Sequence, residues 1–248
     1  MNNRAMEDKR MDQLTDPNNQ HSKEISALIS KTLRNTGTIY LATDWHLFVR
    51  DEKGKSKCHK CKNFDSILKD VMNTMTDKDL LIYMGDLADG ELSKEQDLDE
   101  LKQVLKLIPG TKILVLGNND TQSVSFYKSC GFTQVVQSFV WSNVLFTHIP
   151  VKNDQQINVH GHIHGYATYW IPYTNQIDVA YLGGREHLVQ LAQVLASQYN
   201  YSKKIKEDPS KFEEGYTNPV RDGIGIFESY TNDSSHANYL LSDPFPVE

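Results

Sequence analysis

The chain has 248 residues, of which 39% are hydrophobic and 23% are charged, a balance typical of a folded protein with a substantial core. Its formal net charge of −6 disfavours broad binding to nucleic acid or to an anionic membrane, although it leaves room for a local basic patch. The sequence contains no membrane-length apolar run and no apolar signal-peptide core, and its three cysteines suit a reducing compartment, so we expect a cytoplasmic protein.

The N-terminal region is predicted to be a polar arm followed by one helix. Residues 1–20 are polar and show no periodicity, so we expect a mobile arm. From Ser22 to Leu33, apolar residues recur at helical spacing and predict a short amphipathic helix. We therefore assign residues 1–37 to an N-terminal arm and helix.

Six short apolar runs follow along the chain, and each is typical of a strand buried on both faces. They are residues 38–43, 80–84, 112–116, 143–147, 157–160 and 176–181. Helical patterns at 63–75, 95–108 and 121–130 alternate with the first of these runs, and residues 184–197 return to a helical period. This order predicts an α/β protein with βαβ crossovers in its first half and more antiparallel pairing in its second half.

The end of the chain, residues 198–248, is rich in Asn, Asp, Ser, Gly and Pro. Within it, only residues 223–230 have the pattern of an ordered element, such as an added strand. We expect a C-terminal extension that packs on the domain or remains partly loose.

Potential metal ligands follow five of the predicted strands, at the points where the strands end. They are Asp44 and His46, then Asp86, then Asn118 to Asp120, then His148, and finally His162 and His164. Open α/β sheets bind ligands in the crevice outside the carboxyl ends of their strands. Gly85, Gly117 and Gly161 would let the backbone turn sharply there, so that the neighbouring side chains point into one pocket.

The chemical types of these side chains indicate a metal site. A mixture of carboxylate, amide and imidazole groups suits first-row divalent metals rather than Ca or a thiolate site. The candidates outnumber the ligands that one ion needs, and therefore suggest two divalent metal ions, about 3.5–4 Å apart, bridged by one carboxylate. We expect Mn, with Fe, Zn or Ni as alternatives. The opposing interpretation of residues 158–164 is a strand and turn whose histidines are adjacent by chance.

The ordered motifs resemble those of the calcineurin-like metallophosphoesterases, whose blocks are D-x-H, G-D-x-x-D, G-N-H-D/E, a single H and G-H-x-H. Here the blocks read DWH, GDLAD, GNND, THIP and GHIH, in the same order between residues 44 and 164. The resemblance covers residues 38–197, which we expect to form a metallophosphoesterase domain. It implies an α/β fold in which helices flank two facing mixed β-sheets, an αββα sandwich.

The resemblance also implies which residues bind the metals and what reaction they support. One ion would be bound by Asp44, His46, Asp86 and His164, and the other by Asp86, Asn118, His148 and His162. A hydroxide between the ions would attack phosphorus in line with the leaving oxygen and so hydrolyse a phosphodiester or a phosphomonoester. His160 is then expected to be a strand residue rather than a ligand.

The third block departs from the family pattern, because Asn119 stands where the family usually has a histidine. That histidine stabilises the transition state and can protonate the leaving group. An amide can donate a hydrogen bond to a phosphoryl oxygen but supplies no proton near neutral pH. We assign catalytic roles to Asn119 and Asp120, with Asp120 expected to hold Asn119 or a metal ligand. The departure predicts a preference for stable leaving groups, or a proton from another source.

A basic segment, residues 50–62, directly follows the first block and is a candidate for binding a phosphorylated substrate through Arg50 and Lys55. A solvated loop is the alternative. Cys58 and Cys61 have zinc-knuckle spacing but lack a second pair of ligands, which favours ordinary loop cysteines. The aromatic residues of 166–173 can stack on a base, although packing under a loop is more common.

Two other functions remain open on the sequence alone. A non-catalytic scaffold of the same fold would explain the missing histidine, but every metal-ligand position of the motifs is intact. A nucleic-acid-processing nuclease would use the basic and aromatic segments, against the acidic net charge. We expect a phosphorylated substrate as the partner and no membrane; oligomeric state is not encoded in these motifs.

Overall fold

The structure is a computed structural model that describes residues 19–47, 64–88, 95–151, 155–162, 176–180, 182 and 187–196. Within these ranges the helices are α1 (Gln20–Arg34), α2 (Phe64–Thr74), α3 (Glu95–Leu107) and α4 (Val124–Ser129), with a further helical stretch at 191–196. The strands are β1 (Ile39–Ala42), β2 (Leu80–Tyr83), β3 (Thr111–Val115), β4 (Gln134–Val136), β5 (Ser138–Trp141), β6 (Val144–Thr147), β7 (Ile157–His160), β8 (Gln176–Asp178) and β9 (Val189–Gln190).

The first sheet has the strand order β4-β3-β2-β1-β9. Strands β1 to β4 are parallel, with Ile39 opposite Leu80 and Leu80 opposite Thr111. Parallel neighbours need a crossover, because each strand starts at the edge opposite to the one where the previous strand ends. Helices α2, α3 and α4 lie in these connections, so the predicted βαβ crossovers are confirmed.

The second sheet, in the order β5-β6-β7-β8, corrects one expectation. Strands β5 and β6 are antiparallel, but β6–β7 and β7–β8 are parallel, so the predicted antiparallel character of the second half is wrong for these two pairings. The parallel register brings the carboxyl ends of β6 and β7 to one edge, where both carry predicted ligands. Strands β4 and β5 were not predicted, because only Gln137 separates them and together they read as one irregular run.

Alternating side chains of β1 contribute to two separate apolar layers. Ile39 and Leu41 belong to a core that contains residues of both sheets, among them Phe139 of β5. Tyr40 and Ala42 point to the opposite face and pack with residues of α2 and α3. Each large apolar side chain buried in this way stabilises the fold by about 1.5–3 kcal/mol. The predicted fold class, two facing mixed sheets flanked by helices, is confirmed.

Helix α1 confirms the helix predicted near the N-terminus and is attached to the second sheet. Asn19 caps it, because its Oδ1 accepts the N–H of Ser22 at 2.8 Å. The Ser22 hydroxyl oxygen in turn accepts the N–H of Val140 in β5 at 3.0 Å. Ile25 and Ile29, one turn apart, enter the core between the sheets. The helix is therefore held by the hydrogen bond from Val140 to Ser22 and by the burial of Ile25 and Ile29.

The helix predicted over residues 184–197 is wrong at its beginning. Val189–Gln190 form β9, which pairs antiparallel with β1, and the described helical residues are 191–196. An edge strand offers unpaired backbone groups, and pairing them with β9 outweighs the local helical periodicity.

The predicted arm and C-terminal extension lie outside the described residues, apart from Asn19 and Gln20. Among the helices that the structure describes, none is long and apolar enough to cross a membrane.

Candidate metal centre

The predicted ligands meet where the carboxyl ends of strands from both sheets converge. Six of the seven lie within the described residues, and His164 lies outside them. Asp44, Asp86 and His148 are buried, whereas His46 and His162 are half-buried and Asn118 is exposed. The site is therefore closed at its base and open on the side of Asn118.

Two groups of potential ligand atoms share one residue. Asp44, His46 and Asp86 form the first group, and Asp86, His148 and His162 form the second. His46 Nε2 lies 3.7 Å from Asp44 Oδ1 and 3.7 Å from Asp86 Oδ2. His148 Nε2 lies 3.3 Å from the same Asp86 Oδ2, so this oxygen lies between the two imidazoles.

The hydrogen bonds of His148 show that its second ring nitrogen is suited to a cation. Its Nδ1 lies 2.7 Å from the carbonyl oxygen of Met84, and because a carbonyl only accepts, Nδ1 carries the proton. In the neutral ring, Nε2 then presents a lone pair toward Asp86 Oδ2 and toward Asn118 Oδ1, which is 3.2 Å away. Three convergent lone pairs repel one another, and a cation among them, either a proton on Nε2 or a metal ion, removes this repulsion. The residues present therefore fit a divalent metal.

The charges of Asp86 and His148 affect each other. Burial lowers the pKa of His148, but the hydrogen bond and the charge of Asp86 outweigh it, and the pKa lies above its ordinary value. Burial raises the pKa of Asp86, yet the contacts with His148 and Asn119 outweigh that effect and keep this pKa below its ordinary value. Asp86 thus stays ionised across the physiological range and attracts cations.

Four predicted ligands adopt a left-handed backbone conformation, which is unusual for residues other than glycine. The φ angles are 52° for Asp44, 45° for His46, 54° for Asp86 and 71° for His162. Such conformations cost about 1–3 kcal/mol each and concentrate at functional sites. Interloop hydrogen bonds stabilise them: Asp44 N–H donates to the Gly85 carbonyl at 2.9 Å, and His46 N–H donates to the Asp86 carbonyl at 3.1 Å.

The three glycines predicted to permit sharp turns have different roles. Gly85 has φ of 94°, so it does adopt a turn conformation that favours glycine. At Gly117 the constraint is space, because a Cβ would collide with the Asp86 carboxylate. At Gly161 a Cβ would collide with the Thr43 hydroxyl and lie 2.6 Å from Asp44 Oδ2. These two glycines allow the loops to approach closely.

Asp120 binds the backbone around Asp86 and joins two loops. Its Oδ2 accepts the N–H groups of Asp86 at 2.9 Å and Gly117 at 2.8 Å, and its Oδ1 accepts the N–H of Leu87 at 3.0 Å. Burial raises the pKa of Asp120, and its backbone hydrogen bonds oppose that rise. Asp120 was expected to hold either Asn119 or a metal ligand. In the structure it holds the backbone of the predicted ligand Asp86.

Asn119 donates two hydrogen bonds to the carboxylate of Asp86. Its backbone N–H lies 2.9 Å from Oδ1, and its side-chain Nδ2 lies 2.7 Å from Oδ2. The residue that departs from the family pattern is therefore in contact with the residue shared by both ligand groups.

Tyr83 is a buried residue beneath the site that the sequence analysis did not identify. Its hydroxyl oxygen accepts the N–H of Trp45 at 2.8 Å and faces the carbonyl of Asp86 at 3.5 Å. Its ring packs edge-on against Trp45, which is 2% exposed and belongs to the apolar core. A tyrosine in a β-rich run is ordinary, so the sequence carries no signal for this role.

Several predicted features fall outside the described residues. These are the candidate substrate residues Arg50 and Lys55, the cysteines Cys58 and Cys61, and the aromatic segment 166–173. His160 is described, and it ends β7 as predicted.

The structure thus shows an α/β protein in which two groups of potential metal ligands lie at the carboxyl ends of strands from two facing sheets. Residues 37–237 match the family model described as calcineurin-like phosphoesterase. The chain belongs to this family, whose members are generally metal-dependent phosphoesterases, and the resemblance inferred from the motifs is confirmed.

Comparison with solved structures adds two distant likenesses. A protein of unknown function from Aquifex aeolicus, AQ665, has a TM-score of 0.44 and 17% identity over 69% of this chain and 98% of that chain. The nuclease MPE of Pseudomonas putida has a TM-score of 0.40 and 17% identity over 55% of this chain and 66% of that chain. No curated protein sequence matches the chain significantly.

Proposed function

We propose that this protein is a binuclear-metal phosphoesterase that hydrolyses a phosphodiester or a phosphomonoester. The observation that supports two ions is the shared position of Asp86 in both ligand groups. One ion would be bound by Asp44, His46, Asp86 and His164, and the other by Asp86, Asn118, His148 and His162. Mn is the ion we propose, with Fe, Zn or Ni as alternatives.

The ions would supply an activated hydroxide and neutralise charge on the phosphoryl oxygens. The residues of the chain contribute the geometry. His148 presents Nε2 because its Nδ1–H is bound to the Met84 carbonyl. Asp120 is a positioning residue in this proposal, because it binds the backbone of Asp86 rather than facing the open side of the site. Arg50 and Lys55 are proposed to attract the phosphorylated substrate.

Asn119 replaces a general acid with a group that cannot protonate a leaving group. Its Nδ2 carries two hydrogens, so a bond to a phosphoryl oxygen is compatible with the bond to Asp86. We expect the rate to fall steeply as the leaving group becomes more basic. A series of substituted phenyl phosphodiesters measures this dependence, and a rate insensitive to the pKa of the leaving phenol would contradict it.

The activity is tested with bis-p-nitrophenyl phosphate and p-nitrophenyl phosphate, each with added Mn²⁺ and after chelation. We expect metal-dependent turnover that Asp86→Asn abolishes, and the faster substrate distinguishes a diesterase from a monoesterase. Absence of turnover in protein that binds two ions would favour a non-catalytic scaffold. Hydrolysis confined to single-stranded or duplex nucleic acid would favour a nuclease.

A further inference from the structure

Asn119 contacts both carboxylate oxygens of Asp86 through two separate hydrogen bonds. The backbone N–H of Asn119 donates to Oδ1 at 2.9 Å, and the side-chain amide donates to Oδ2 at 2.7 Å. Both bonds end on the carboxylate of an aspartate, an acceptor that is ionised near neutral pH in its ordinary state. Charge-assisted hydrogen bonds of this kind are about twice as strong as neutral ones.

Two donors on one residue fix the plane of a carboxylate, which otherwise rotates over a broad range about its last side-chain bond. In this plane Oδ2 lies 3.7 Å from His46 Nε2 and 3.3 Å from His148 Nε2. A rotated carboxylate would move Oδ2 away from at least one of these nitrogens. The orientation of Asp86 therefore decides whether the two ligand groups share one oxygen.

We propose that Asn119 is a positioning residue that sets the plane of the Asp86 carboxylate and thereby the metal affinity of both groups. The inference rests on the proposed function, since it concerns the ligands of the same two ions. The backbone N–H of Asn119 is present whatever the side chain, so the contact that depends on asparagine is the bond from Nδ2 to Asp86 Oδ2. Asn119 thus affects the reaction through Asp86, whether or not it also contacts the substrate.

The test compares Asn119→Ala, which removes only the Nδ2 bond, with Asn119→Gln, which retains the amide on a longer arm. Mn²⁺ affinity and the number of ions per chain are measured by competition with a fluorescent chelator and by elemental analysis. Asn143→Ala is the control, because Asn143 precedes β6 at the end opposite to His148. Circular dichroism checks that each variant is folded.

We expect Asn119→Ala to lose about 10–100-fold in Mn²⁺ affinity, the range observed when groups that orient metal ligands are removed. Asn119→Gln is expected to lose affinity as well, because its amide cannot occupy the same position. The control retains the wild-type affinity. Raising Mn²⁺ to saturation should restore much of the kcat of Asn119→Ala on bis-p-nitrophenyl phosphate.

Two results would overturn the inference in different ways. Equal Mn²⁺ affinity in the wild type and both Asn119 variants would remove the positioning role while leaving the proposed function intact, and a kcat that stays low at saturating Mn²⁺ would then assign Asn119 to the substrate. Failure of the wild-type protein to bind Mn²⁺ or another first-row ion would overturn the proposed function and this inference together.

Discussion

At the scale of single residues, the site depends on glycines, whose lack of a side chain lets the loops approach closely, as well as on the side chains of the predicted ligands. Gly161 separates His160 from the predicted ligand His162, and its missing side chain leaves room for Thr43 and Asp44. The His162 N–H donates to Asp44 Oδ2 at 3.1 Å across this close approach. The loops after β1 and β7, which belong to different sheets, can therefore approach closely only with glycine at this position.

Gly161→Ala is expected to lower stability by about 1–3 kcal/mol, as overpacking does, and to weaken Mn²⁺ binding by separating the two loops. Gly131→Ala is the matched control, since its φ of 100° strains an alanine but, among the described residues, its Cβ would meet only Lys112. Urea unfolding and Mn²⁺ titration measure the two effects. Weaker Mn²⁺ binding in the control, or unaltered binding in Gly161→Ala, would contradict this account.

His160 provides a second test at this scale, because burial lowers its pKa from 6.5 to about 4. In the unfolded chain His160 binds a proton near pH 6.5, whereas in the folded chain it does so only near pH 4. The stability contribution is therefore fully present above 6.5 and is lost as the pH falls from 6.5 to about 4. Between about pH 7 and pH 5 the expected loss is about 2 kcal/mol.

Urea unfolding of the wild type and His160→Gln over this range isolates the effect, because other titrating groups are common to both. The variant is expected to be less stable at neutral pH and to have a smaller dependence on pH. Parallel pH profiles for the two proteins would show that the His160 pKa is not lowered in the folded state.

At the scale of elements, buried polar side chains of β6, β7 and β8 fix the segment that carries His148. Asn158 Oδ1 accepts the N–H of Val151 at 2.7 Å, and its Nδ2 donates to the Thr147 hydroxyl at 2.9 Å. Gln176 Nε2 donates to the carbonyl of Val151 at 2.7 Å. A polar residue inside an apolar strand is a signal that the sequence does contain, although its partners are visible only in the fold.

Asn158→Leu should cost about 1–3 kcal/mol, because it leaves the partly buried N–H of Val151 without this acceptor and the buried Thr147 hydroxyl without this donor. Metal affinity should fall as well, since the loosened segment begins next to His148. Asn143→Ala, a polar substitution at the other end of β6, is expected to change stability by less than about 0.5 kcal/mol. Lower stability with unchanged Mn²⁺ affinity would confine Asn158 to a structural role.

At the scale of the whole molecule, metal binding should couple to unfolding, because the ligands come from strands of both sheets and are brought together only by folding. Free Mn²⁺ at 100 times its dissociation constant adds about 2.7 kcal/mol of stability. This corresponds to a rise in Tm of about 5–10 °C for a chain of this size. Differential scanning calorimetry with Mn²⁺ and with chelator measures the shift.

Asp86→Asn should reduce this Tm shift the most among single ligand variants, because Asp86 belongs to both groups. Asp44→Asn alters one group and should retain binding at the other. An equal reduction in the two variants would argue against a shared carboxylate and in favour of a single ion.

The sequence by itself determined the strand positions and the ligand types, because both are local properties. A buried strand needs a short apolar run, and a metal ligand needs a particular side chain directly after it, so β1, β2, β3, β6 and β7 and the residues that follow them could be recognised. The family motif is an ordered series of such local signals along the chain.

Only the tertiary structure decided the direction of β7 and β8, the strand β9, and the contacts among the ligands. Although residues from 184 onward have a helical period, Val189–Gln190 pair with the edge of β1, about 150 residues away in sequence. The roles of Tyr83, Asp120 and Asn119 depend in the same way on hydrogen bonds between loops distant in the chain. Local pattern cannot encode such contacts, because their free energy is realised only when the loops meet.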